Sequence, residues 1–127
     1  YMKIHEFGPV IYPCKLWICA KKDESVLKEF RMYPDDVEIA QSDNQGATTR
    51  CVYSMETKDI GILIDFLSKK HMDVKTIAHE ARHAGDMLFE LIGDNPRHSE
   101  PAAYYTGWVA ECIDKVKRGK AGDLNKK

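Results

Sequence analysis

The sequence lacks the features that mark several classes of protein. No apolar run approaches the roughly 20 residues of a transmembrane helix, and the chain does not open with the basic, apolar and small-residue pattern of a secretory signal. Its 19 Lys and Arg residues are balanced by 20 Asp and Glu residues, so no excess of one charge indicates a nucleic acid or membrane partner. We therefore expect a cytoplasmic protein without either partner; the sequence carries no signature of an oligomeric state.

The cysteines are not arranged as a metal motif. The four cysteines (Cys14, Cys19, Cys51 and Cys112) form no CxxC pair. Cys14 and Cys19 would lie on opposite faces of a single strand, because their separation is an odd number of residues. We therefore expect four free thiols, as in a reducing compartment.

What the sequence does contain fits one α+β domain. A chain of 127 residues, 43% of them hydrophobic, can bury a single core. We expect this domain to span residues 1–117, followed by a flexible basic tail over residues 118–127.

The first half of the chain has the composition of strands and turns. Its β-branched and aromatic segments predict strands over residues 10–20, 37–41, 47–56 and 61–67. A short helix capped by Asp23 is predicted over 23–33, and a turn over 42–46. The link at 57–59 is short, so the strands on either side of it are expected to form an antiparallel hairpin.

The second half changes to a helical period. Asp73 is a suitable N-cap for a helix that runs to about Ile92, and Gly93 is a suitable C-terminal stop. The apolar stripe of this helix consists of Ile77, Ala81, Ala84, Leu88 and Leu91. After a loop at 94–98, a second helix is predicted from Ser99 to about Lys117.

The first of these helices contains the pattern HExxH, in the segment TIAHEARH at 76–83. His79 and His83 are one turn apart, so both imidazoles project from one face, and two neutral ring nitrogens at this spacing can bind one zinc ion. Glu80 lies about 100° around the helix, where it is poorly placed as a ligand but can reach a water held by the metal. We therefore predict a Zn²⁺ site in which Glu80 is the general base for a zinc-bound water.

A catalytic zinc also needs a third protein ligand and one open position. Glu100 is the favoured third ligand, because it begins the next helix, which is expected to fold back antiparallel on the first. Tyr104 and Glu111 share its face, and Gly107 between them would let the helices approach closely. The Tyr104 hydroxyl is the favoured group for stabilising an oxyanion.

Several residues compete for these roles. His98 and Asp86 are alternative ligands, although Asp86 is better placed to accept a hydrogen bond from a ligand imidazole. Glu111 could take that accepting role or be a solvated charge. Tyr105, Arg82 and His98 are weaker candidates for the oxyanion group.

HEARH, followed by Glu100 in SEPAAYYTGW, resembles the gluzincin branch of the zincin metallopeptidases. It is most similar to their small members, the minigluzincins and the ImmA/IrrE-type proteases of bacteria and phages, over about residues 60–116. The resemblance implies that His79, His83 and Glu100 are zinc ligands and that Glu80 is the base. It also implies a small antiparallel or mixed sheet packed on the active-site helix and on a ligand-bearing helix, and an edge strand that pairs with a peptide or protein substrate.

Three functions follow from these residues. The first is a zinc metallopeptidase, a peptide-bond hydrolase. The second is a regulatory or binding protein that keeps the zincin scaffold and its metal but has little generic peptidase activity, because little sequence follows the ligand helix. The third is a closed structural zinc site in which His98 or Asp86 is a fourth ligand.

Overall fold

The computed structural model describes residues 4–8, 12–40, 46–93 and 100–119. They form an α+β structure with a five-stranded mixed sheet and two long helices, which confirms the predicted class. The strands are β1 (His5–Phe7), β2 (Lys15–Cys19), β3 (Phe30–Met32), β4 (Ala47–Ser54) and β5 (Ile60–Phe66). The helices are α1 (Glu24–Leu27), α2 (Val74–Leu91) and α3 (Glu100–Lys117), and a 3-10 turn covers Lys69–His71.

The sheet has the strand order β1-β2-β5-β4-β3. Only the β2–β5 pair is parallel; the other described pairs are antiparallel. β4 and β5 form the predicted hairpin, in register from Ala47 opposite Phe66 to Tyr53 opposite Ile60. The central strand β5 is buried on both faces beyond Ile60, which explains why its sequence is a nearly continuous apolar run.

Both faces of the sheet are covered. On one face, α2 and α3 bury a core with residues of β2 and β5 that include Leu16, Ile62, Ile64 and Phe66. On the other face, α1 packs Val26 and Leu27 against Trp17, Val52 and Leu63. The four cysteines are free, as predicted.

Three predictions for the first half need correction. The helix predicted over 23–33 is only the four residues of α1, capped by Asp23 as expected, because Phe30–Met32 pairs with β4 as an edge strand. Where a strand was predicted over 37–41, the described residues 37–40 form a single bridge, between Glu38 and Arg31. β1 was not predicted, and β2 begins only at Lys15. The turn predicted over 42–46 lies almost wholly outside the described residues.

The helix that carries HExxH, α2, agrees closely with the predicted helix. The Asp73 carboxylate accepts a hydrogen bond from the Thr76 backbone N–H at 2.8 Å, which satisfies one of the unpaired amides of the first turn. Gly93 follows the last turn with a φ of 78°, a conformation that glycine adopts without strain. Ile77, Ala81, Ala84 and Leu88 are buried as predicted, and Leu91 is partly buried.

The contact between α2 and α3 depends on a different glycine from the one expected. Gly107 faces open space, because a Cβ added there would meet no described atom within 4 Å. A Cβ added at Gly85 would instead lie 2.5 Å from Oγ1 of Thr106. Gly85 therefore allows the close approach that was predicted for Gly107.

Alanine substitution at these two glycines is expected to have opposite effects. Both lie inside helices, where Ala is favoured over Gly by about 1 kcal/mol, so Gly107→Ala should raise the free energy of unfolding. At Gly85 the clash with Thr106 should cost about 1–3 kcal/mol, so Gly85→Ala should be the less stable variant in urea unfolding. Adding Thr106→Ala should reduce the difference; equal stability of the two single variants would contradict this packing.

Candidate metal centre

α2 presents its two motif histidines on one exposed face. The Nε2 atoms of His79 and His83 are 3.1 Å apart, and the ring centroids are 4.6 Å apart with an interplanar angle of 82°. The His79 side chain is 66% exposed. The predicted convergence of the two imidazoles is therefore present in the structure.

The separation of the two nitrogens is close to that of two ligands on one cation. Zinc–nitrogen bonds of about 2.0–2.1 Å in a tetrahedral arrangement place two ligand nitrogens roughly 3.3–3.4 Å apart. A hydrogen bond between the rings would give a similar distance, with one ring donating and the other accepting. In both arrangements the two Nε2 atoms lie close together on the exposed side of α2 that lines the cleft.

Glu80 is held differently from the histidines, because it faces the sheet. It is 6% exposed, and its Oε1 accepts a hydrogen bond of 2.6 Å from the hydroxyl of Thr49 in β4. Its Oε2 lies 4.0 Å from Nε2 of His79. One oxygen of the carboxylate is thus anchored to the sheet, and the other lies beside the histidine pair.

A cleft between α2 and β4 opens over these three side chains. Its volume is about 550 Å³, and its lining combines the motif with polar and apolar side chains of both elements: Gly46, Ala47, Thr48, Thr49, Lys75, Thr76, His79, Glu80, His83 and Met87. The cleft is therefore large enough to admit part of a polymeric substrate next to Glu80.

The third predicted ligand, Glu100, is the first residue of α3 and lies at some distance from the two histidines. Thr106 packs against Gly85, and the pKa of Asp73, before α2, is lowered chiefly by the Thr76 N–H and more weakly by the charge of Lys117 at the end of α3. α2 and α3 are therefore antiparallel, as predicted. Since a helix rises about 1.5 Å per residue, Glu100 is on the order of 10 Å along the helix axis from the level of His83.

No group of three His, Cys, Asp or Glu side chains within the described ranges is arranged to hold a metal ion. Glu100 is exposed and is not brought together with His79 and His83 in such a group. Its ligation remains a prediction.

The other predicted residues lie on α3, on α2 and outside the described residues. Tyr104 is 72% exposed and shares the outer face of α3 with Glu100, Gly107 and Glu111, all exposed; its oxyanion role remains a prediction. Asp86 accepts from Nε of Arg82 at 3.3 Å; its bond to a ligand imidazole remains a prediction. His98 lies outside the described residues.

Thr49 is the site residue that sequence analysis missed. Nothing near Thr49 in the sequence marks it, because it contacts Glu80 only through the packing of α2 on β4. A weak signal was present in the predicted strand over 47–56, where alternation places Thr49 and Cys51 on one face and Arg50 on the other. Recognising Thr49 required knowing which face α2 covers.

Comparison with known proteins does not assign the chain to a family. No protein-family profile, curated protein or solved structure matches the chain significantly. Among the described helices, none combines the length and apolar character needed to cross a membrane.

Proposed function

We propose that this protein is a zinc-dependent hydrolase of the zincin type, and that it cleaves peptide bonds. The observation that carries the proposal is the 3.1 Å approach of the His79 and His83 Nε2 atoms beside the buried carboxylate of Glu80. The mixed sheet behind α2 supports a zincin-like fold, because it supplies the scaffold that such a helix packs on.

The described residues provide two of the three protein ligands that a catalytic zinc ion needs. His79 and His83 would hold the ion through Nε2, and the resemblance nominates Glu100 as the third ligand. When bound, zinc would polarise the scissile carbonyl and lower the pKa of a water molecule. A peptide lying in the cleft would be bounded by α2 on one side and β4 on the other.

Glu80 would move the proton in this reaction. The Thr49 hydroxyl fixes Oε1 at 2.6 Å, which leaves Oε2 directed toward the space beside His79. From there the carboxylate can take a proton from water and pass it to the departing amine. The burial of Glu80 keeps the side chain in this position, since Thr49 and the sheet restrict its rotation.

A second candidate function is a zinc-binding regulatory protein on the same scaffold with little generic peptidase activity. It is favoured by the lack of a three-ligand group among the described residues and by the exposure of Tyr104. A closed structural zinc site is disfavoured, because the His79 side chain is 66% exposed and lines an open cleft.

Zinc titration by calorimetry tests the metal site. The parent protein is expected to bind a single zinc ion, and His83→Ala should lose that site because one imidazole cannot replace two. His71→Ala is the matched control, since the His71 ring pairs with Ser68 at 2.9 Å. Parent-like zinc affinity in His83→Ala would refute the proposed site.

Glu100→Gln and, as its control, Glu56→Gln at an exposed turn position separate the third ligand from an unrelated surface charge. Weaker zinc binding in Glu100→Gln alone would support its ligation. Peptide hydrolysis by the zinc-loaded parent then distinguishes the peptidase from the binding protein.

A further inference from the structure

A second depression continues the cleft along the same side of α2. It has a volume of about 410 Å³, and its lining includes Cys51 of β4 and Glu90 and Leu91 of α2. Met87 lines both depressions. The two depressions therefore adjoin at Met87, and we call the pair the trough; it runs along α2 past the two histidines, a direction that suits an extended chain.

The charges along this trough are separated by sign. Lys75 lines it one helical turn before His79, and Glu90 lines its opposite end. Both are exposed, and neither forms an ion pair with another described residue. Arg82 and Asp86, by contrast, pair with each other at 3.3 Å. One end of the trough is therefore positive and the other negative, although the charge of Lys75 also acts weakly on the nearby carboxylate of Asp73.

The distance between these charges corresponds to a short extended peptide. At about 1.5 Å per residue, the helix from Lys75 to Glu90 is about 22 Å long. An extended chain advances about 3.3 Å per residue, so about six or seven residues would span it. The histidines lie between the two charges, about 6 Å along the axis from Lys75 to His79 and about 10 Å from His83 to Glu90.

We propose that the substrate is an extended peptide segment with an acidic residue that pairs with Lys75 and, about six residues away, a basic residue that pairs with Glu90. This inference rests on the proposed function, because it places the cleaved bond at the histidines between the two charges. The apolar wall formed by Met87, Cys51 and Leu91 adds a preference for an apolar side chain next to the basic residue.

Charge complementarity supports this class of occupant over others. A nucleic acid would bring negative charge to Glu90, and a uniformly basic peptide would bring positive charge to Lys75. A peptide with one charge of each sign satisfies both ends. The order of the two charges along the peptide sets the direction in which it lies.

Peptide binding to the Glu80→Gln protein tests the inference without turnover. Fluorescence anisotropy would compare a peptide whose acidic and basic residues are about six apart, in both orders, with the same peptide carrying Gln at both positions and with one whose charges are adjacent. The better of the two orders is expected to bind roughly three- to tenfold more tightly than the neutral peptide, as two partly exposed ion pairs allow. Raising the salt concentration should reduce this preference.

Single substitutions assign the preference to the trough. Lys75→Gln should abolish the advantage of the acidic residue, and Glu90→Gln that of the basic residue. Lys117→Gln and Glu56→Gln, at exposed positions outside the trough, should change neither. Equal binding of charged and neutral peptides, or a preference that survives both trough substitutions, would overturn the inference.

The two proposals fail in different ways. A parent protein that hydrolyses no peptide, while its charge preference in binding persists, overturns the proposed function and supports the assigned binding surface. Hydrolysis without any charge preference supports the proposed function and overturns the inference.

Discussion

The Glu80→Gln protein is expected to bind zinc as tightly as the parent and to hydrolyse peptides about 10²- to 10⁴-fold more slowly, the usual contribution of a general base. The amide has nearly the same shape as the carboxylate, and its oxygen can still accept the 2.6 Å hydrogen bond from Thr49. What it loses is the capacity to take up a proton beside His79. Steady-state kinetics with a peptide substrate, at matched zinc occupancy, measures this loss.

Two features make this result specific to proton transfer. Glu56→Gln makes the same chemical change at an exposed position in the turn between β4 and β5 and should keep parent activity. The reduced activity of Glu80→Gln should also appear in kcat rather than in KM, because the substituted group acts on the transition state. Parent-like turnover in Glu80→Gln would exclude Glu80 as the base.

The Asp65→Ala protein is expected to be about 3–5 kcal/mol less stable than the parent, because it leaves a buried guanidinium without its partner. Nη1 of Arg50 donates to Oδ1 of Asp65 at 2.6 Å, and the two side chains are only 8% and 5% exposed. Arg50 donates a second, longer hydrogen bond of 3.3 Å to the carbonyl of Ala40. One backbone acceptor cannot balance the charge, so urea unfolding should show the loss.

Replacing both partners tests whether the loss comes from the unpaired charge. Arg50→Met combined with Asp65→Leu removes both charges and keeps a similar volume, which often restores or exceeds parent stability. Asp114→Ala is the matched control, because its pair with Arg118 is about half exposed and should be worth less than about 1 kcal/mol. A loss of similar size in Asp65→Ala and Asp114→Ala would contradict this account.

The local elements that follow from short-range chemistry were the predictable ones. α2 has a capping aspartate, a regular apolar stripe and a terminal glycine, and all of these signals lie within its own sequence. The hairpin of β4 and β5 follows from a short link between two strand-like segments. In these cases the residues that stabilise the element are also the residues that signal it.

β3 shows where local signals fail. Val26, Leu27 and Phe30 have the spacing of a helical face, so a helix was predicted through residue 33. All three are indeed buried together beneath the sheet, but Phe30 reaches that cluster from a strand paired with Ser54 of β4. The spacing indicated correctly that these residues are buried. It could not indicate the strand that pairs with Phe30, because that strand lies far away in the sequence.

The same division applies to the candidate site. By itself the sequence determined that His79 and His83 lie one turn apart and that Glu80 points elsewhere, because helix geometry alone decides those directions. Only the tertiary structure decided that Thr49 holds Glu80 and that Gly85 rather than Gly107 brings α3 close. It also decided that Glu100 begins α3 about 10 Å along the axis from the level of His83. These depend on how separate elements pack and in which register, and packing is set by the shapes of many side chains together rather than by any one segment.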